Sequence, residues 1–109
     1  MTPQALGRDA ARALRAEHGT NDPDALAARL GVTVVESNLD GGWGTVVVFA
    51  DYTPRPPRIT LYPPAAADRA HYLAHELFHH WEALHPDRRR KRPESEAAAD
   101  AFAEALLSP

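Results

Sequence analysis

The chain has 109 residues, 12 Lys+Arg against 15 Asp+Glu, and 44% hydrophobic residues. That length and apolar content suit one domain, residues 1–109, with one core, and exclude a disordered chain. With no Cys, a formal net charge of -3 and no long apolar run, the composition also excludes a disulfide framework, a Cys-ligated metal, a membrane-spanning helix and bulk attraction to nucleic acid.

The opening stretch MTPQALGRDAARALRAEHG has no apolar h-region of the secretory kind, so a cytoplasmic protein is expected. Residues 3–18 are predicted helical, because Ala5, Leu6, Ala10, Ala13 and Leu14 recur near helical spacing and Gly19 supplies a stop. Asn21-Asp22-Pro23 is a start signal for a second, short helix over 23–30, ended by Gly31. Together these two predict a helical hairpin. The character then changes to β-branched runs. VTVVES (32–37), TVVVFA (45–50) and RITLY (58–62) are predicted strands, expected to form a three-stranded antiparallel sheet. NLDGGWG (38–44) is predicted to turn, and YTPRPP (52–57) to lack regular structure because of its prolines. Pro63-Pro64 ends the third strand. Residues 65–84 are predicted as one long helix, 87–93 as a polar loop, and 94–107 as a last helix rich in Ala and Glu.

The long helix carries His75-Glu76-Leu77-Phe78-His79, the HExxH pattern. At this chain's own His and Glu frequencies the pattern arises by chance at a rate of roughly 0.02, low enough to be taken as signal. Successive helical residues turn about 100°, so His75 and His79 lie about 40° apart and one turn above each other. Two imidazoles on one stripe can share a tetrahedral metal, while Glu76, about 100° from His75, can reach a water from the side as a general base. A catalytic site needs a third protein ligand. Glu96 opens the final helix, and Asp100, one turn later, could accept a hydrogen bond from a ligand imidazole. Glu94 is a weaker version, having Ala98 one turn on. His85 falls where an HExxHxxGxxH pattern puts its third His, but position 82 is Glu, not Gly. His71, two turns before His79, is about 12 Å from it along the axis. His71 and His80 are therefore expected as surface or cleft residues.

HELFHH followed by ESEAAADAFAEALLSP resembles the ImmA/IrrE family of zinc metallopeptidases, whose HExxH helix is followed by a helix of the form E-x-E-A-N/D-x-F-A-x-x-L-L-M-P. Matching on Asp100, Phe102, Ala103, Leu106, Leu107 and Pro109 places the family's first Glu on Glu96. DPDALAARLGVTVVE is similar to the family's opening, so the resemblance covers roughly residues 22–109. The departures are Phe78 for a usual Gly, Ala98 for the second Glu, Ser108 for Met, and a sequence that stops at Pro109 where many members continue.

The resemblance implies a small zincin-like α+β fold with N-terminal helices, the sheet, the HExxH helix and a C-terminal glutamate helix. It implies a Zn2+ held by His75, His79 and Glu96, with Asp100 behind the ligands and Glu76 as catalytic base. It further implies an antirepressor role: a cytoplasmic endopeptidase that cleaves or inactivates a helix-turn-helix, Xre-like transcriptional repressor. In related zincins an edge strand pairs with the substrate backbone, and residues 44–50 are the candidate here. Two imidazoles and a carboxylate also suit Mn or Fe. Tyr52, Tyr62 and His71 are candidates for a further donor to the reacting carbonyl.

Two other readings stand beside this one. Phe78 in place of a small residue beside the site, with the end at Pro109, suits a metal-holding regulatory module without useful catalysis, although its spacing between Ala74 and Trp81 suits core. Arg88-Arg89-Arg90-Lys91-Arg92 holds five of the 12 basic residues. Acidic neighbours Asp87, Glu94 and Glu96 point to a solvated loop, with an acidic protein surface as the next option and no direct nucleic-acid contact expected.

Overall fold

The structure, a computed structural model, describes residues 1–39, 42–43 and 46–109. Helix α1 (Pro3–His18) starts where Thr2 accepts the Ala5 N–H at 3.1 Å and Pro3 pre-sets the first turn. It stops at Gly19, whose φ of 66° is left-handed. Helix α2 (Pro23–Arg29) begins on the Asp22 side chain, which accepts the Ala25 N–H at 3.3 Å. The two do not form the expected hairpin. α1 packs against the C-terminal helix, whereas α2 packs against the HExxH helix. Each follows the partner that buries its own apolar stripe.

The sheet is mixed, not antiparallel. Strands β1 (Thr33–Glu36), β4 (Ala50–Pro54) and β5 (Pro57–Leu61) lie in the order β1-β5-β4. β5 pairs antiparallel with β4 and parallel with β1, with Val34 opposite Ile59. Alternating apolar residues specify which face is buried but not strand direction. The tight β4–β5 turn imposes antiparallel pairing, while the long connection from β1 lets β1 dock on the far edge of β5.

The expected strand at 45–50 is not one strand. Val46–Val47 (β3) pairs antiparallel with Gly42–Trp43 (β2), and Ala50 begins β4. The turn expected around Asp40-Gly41 and the positions Gly44 and Thr45 lie outside the described residues. YTPRPP is not irregular either. Pro54 and Pro57 face each other at the turn end of the hairpin, and the Arg55–Pro56 bond between them is cis. Prolines at strand ends leave the interior ladder, such as Tyr52 opposite Ile59, intact.

After β5, Pro63–Asp68 forms a 3-10 segment, and helix α3 starts only at Arg69, running to Leu84. Two prolines without N–H donors open that segment, and Asp68 leaves helical conformation (φ −143°, ψ 54°). Arg69 then pins the start of α3. Its guanidinium bonds both Asp24 carboxylate oxygens at 2.6 and 3.0 Å and Glu36 at 2.8 Å, tying α3 to α2 and β1. A second 3-10 turn, Pro86–Arg88, leads to helix α4 (Arg92–Leu107).

α4 sits between α1 and α3 and presents small residues to both. Ala98, Ala99 and Ala103 are fully buried, beside Phe102, Leu77 and Phe78. The approach to α1 is so close that a Cβ built on Gly7 would stand 2.1 Å from the Ala98 carbonyl oxygen. Among the described residues, no helix is long and apolar enough to cross a membrane.

Gly7→Ala would ordinarily favour a helix by about 1 kcal/mol. Here the new methyl meets backbone that cannot rotate away, so a net loss of about 1–3 kcal/mol is expected, read by urea denaturation. A stabilised variant would show that α1 and α4 are not in such close contact.

Candidate metal centre

Helix α3 puts His75 and His79 one turn apart, and the small face of α4 lets Glu96 reach both. The His75 Nε2 and His79 Nε2 atoms are 3.3 Å apart. Glu96 Oε2 lies 2.9 Å from His75 Nε2, and Oε1 lies 3.2 Å from His79 Nε2. Both imidazoles are largely buried, with side chains 14% and 18% exposed, while Glu96 is 44% exposed toward the cleft.

The groups behind the imidazoles determine which nitrogens face inward. Asp100 Oδ1 is 2.8 Å from His75 Nδ1. A carboxylate only accepts, so Nδ1–H donates to it and Nε2 is left with a lone pair facing Glu96. Behind His79, Ser95 Oγ stands 3.4 Å and Glu82 Oε1 3.6 Å from Nδ1. Ser95 donates its hydroxyl to Glu82 at 2.9 Å, so its oxygen can accept from His79 Nδ1–H. Burial, and after it the neighbouring His75, hold His79 below the ordinary imidazole range. Its neutral, lone-pair form is therefore favoured near pH 7.

Three electron-pair donors thus converge, and only positive charge between them reconciles that arrangement. Tetrahedral zinc bonds of about 2.0–2.1 Å place ligand atoms about 3.3–3.4 Å apart, close to the spacing of the two Nε2 atoms. The donor set therefore fits a divalent cation. His71, His75 and Asp100 form a second cluster with metal-compatible spacing, but it shares His75 with the first and places His71 Nε2 3.6 Å from Asp100.

Glu76 lines the same cleft, about 780 Å³ in volume, between β4, α3 and the start of α4. Its carboxyl is pushed up to about 7, chiefly by burial, with the cationic form of His75 opposing the shift. Of the three candidate donors, Tyr52 lines this cleft, where its hydroxyl pairs with His80 Nδ1 at 2.8 Å. Burial raises the Tyr52 hydroxyl and lowers His80. Tyr62 lines a different, smaller cavity beside Glu36 and Arg69, and His71 faces Asp100.

The other candidates go elsewhere. His85 caps α3, bonding the Trp81 carbonyl at 2.8 Å and stacking on the Trp81 ring. Glu94 pairs with Arg90 at 3.6 Å. His80, expected at the surface or in the cleft, lines the cleft at 4% exposure. Phe78 is wholly buried against Trp81 and Phe102, so it fills core and does not narrow the cleft.

Glu82 and Ser95 are the residues that spacing did not single out. Glu82 is buried and also accepts the Arg90 backbone N–H at 3.4 Å. Its position three residues after His79, on the same helical stripe, was the available signal. No known family, curated protein or solved structure matches the chain.

Two outcomes follow from this geometry. Asp100→Ala frees the His75 ring to turn and to change tautomer, and zinc affinity measured by competition with a chromophoric chelator should fall about 10–100-fold. In metal-free protein, unfolded chains release the Glu76 proton near 4.5 while folded ones keep it to about 7. Folding stability from this group is thus lost as pH rises between those values, by about 3 kcal/mol in total. Glu76→Gln should therefore gain stability over the wild type as denaturation moves from pH 5 to pH 8. A pH-independent difference would mean that Glu76 is solvated.

Proposed function

We propose that this chain is a zinc-dependent endopeptidase with a zincin-like, ImmA/IrrE-type site, and that it acts on a helix-turn-helix, Xre-like transcriptional repressor in the cytoplasm. The observation that carries the reading is the convergence of His75, His79 and Glu96 at an open cleft lined by His79, Glu96 and Glu76. Two imidazoles and one carboxylate, with room left on the cleft side, suit a catalytic rather than a closed structural metal site. The repressor comes from the sequence resemblance alone.

When bound, the cation supplies Lewis-acid chemistry and makes water nucleophilic near neutral pH. The chain's own residues do the rest. Asp100 and Ser95–Glu82 hold the two imidazoles in the tautomer that turns Nε2 inward. Glu76, beside His75 and lining the cleft, accepts a proton from water and passes it to the leaving amine. Tyr52 offers a hydroxyl in the same cleft to a substrate carbonyl. β4, whose residues Ala50, Asp51 and Tyr52 line the cleft, replaces residues 44–50 as the strand along which a peptide would lie.

Glu76→Gln should keep zinc by elemental analysis and lose about 10²–10⁴-fold in hydrolysis of a proteome-derived peptide library. His79→Ala should lose both the metal and the cleavage. Undiminished cleavage by Glu76→Gln overturns the endopeptidase.

A further inference from the structure

The basic run found in the sequence does not lie on a remote loop. Arg89, Arg90 and Arg92 line the same cleft as Glu76 and Glu96, and Arg55 lines it from the β4–β5 turn. Two elements distant in sequence thus bring guanidinium groups to one cavity. Arg90 is engaged, bonding the Met1 carbonyl at 2.7 Å and facing Glu94 at 3.6 Å. Arg55, Arg89 and Arg92 are exposed, and no ion pair or side-chain hydrogen bond engages them among the described residues. Carboxylates line the cleft too, but two of the four are committed. Glu96 faces the two imidazoles, and Glu82 is held by Ser95 and the Arg90 N–H. Glu76, close enough to feel the charge of Arg92, and Asp51 are the other two, against the four arginines Arg55, Arg89, Arg90 and Arg92.

We propose that this cleft selects peptide segments carrying acidic side chains, with Arg55, Arg89 and Arg92 as the residues that read them. The proposal names a substrate class for the peptidase described above and rests on that reading. A guanidinium presents a fork of donors that matches a carboxylate, and a concave wall strengthens each pairing over the same pairing on open surface. A chain of net charge -3 that gathers unpaired arginines at its cleft repels acidic partners elsewhere and admits them there.

The test is fluorescence anisotropy on zinc-loaded protein with labelled peptides of about 12 residues, long enough to cross the molecule when extended. One peptide alternates Glu and Ala, a second alternates Gln and Ala, and a single-stranded oligodeoxynucleotide of similar length is the third probe. The Glu peptide should bind about tenfold tighter than the Gln peptide, and added salt should erase the difference. Arg55→Glu, Arg89→Glu and Arg92→Glu together should abolish the preference while circular dichroism stays unchanged. Arg89→Glu alone should reduce it, should the triple variant fail to fold. Equal binding of the two peptides, or a preference that survives these substitutions, overturns the proposal. Tighter binding of the oligonucleotide through the same arginines also overturns it, in favour of nucleic acid. Arginine-dependent binding of the acidic peptide without cutting upholds the selection and fails the peptidase.

Discussion

Two imidazole lone pairs and a carboxylate held about 3 Å apart constitute the constraint around which this molecule is arranged. Left to themselves, such groups would separate into water. They stay together because each imidazole is braced from behind, His75 by Asp100 and His79 by Ser95 with Glu82, and because the helices carrying them cannot part. The bracing acceptors come largely from α4, the helix that also supplies Glu96. One helix therefore provides the carboxylate that faces the imidazoles and most of the groups that orient them.

That economy depends on side-chain size. α4 is rich in Ala, which gives it little hydrophobic drive per residue but lets two other helices come close. The contact of Gly7 with Ala98 on one side and the Phe78–Phe102 ring contact on the other fill the space around it. The Ala-rich composition is what brings Glu96 within reach of α3. Larger residues at Ala98 or Ala99 would hold the helices apart and leave His75 and His79 without their carboxylate.

Much of this is legible in the amino-acid sequence. The HExxH spacing equals one helical turn, so it carries geometry with it. Gly19 marks the end of α1 because capping is a local interaction. What stayed hidden is tertiary. The direction of β1 depends on which edge of β5 it meets, and alternating residues do not encode that. The hairpin through Pro54 and Pro57 was obscured by a rule that holds for strand interiors but not for their ends. Ser95 and Glu82 meet across 13 positions of chain, and only the packing of α4 on α3 brings them together. Arg55 and Arg89 share a cavity for a similar reason, since the hairpin turn and the loop before α4 flank the same opening.

The clamped position of α4 would bear on which ion the proposed centre could take. With Gly7 leaving no gap on one side and buried aromatic rings on the other, Glu96 can adapt by turning its own bonds but not by moving its helix. The imidazoles are braced as well, by Asp100 and by Ser95 with Glu82. A mount of this kind would act as a gauge for ionic radius: it would accommodate small ions with bonds of about 2.0–2.1 Å and poorly span the 2.3–2.6 Å shell that calcium demands.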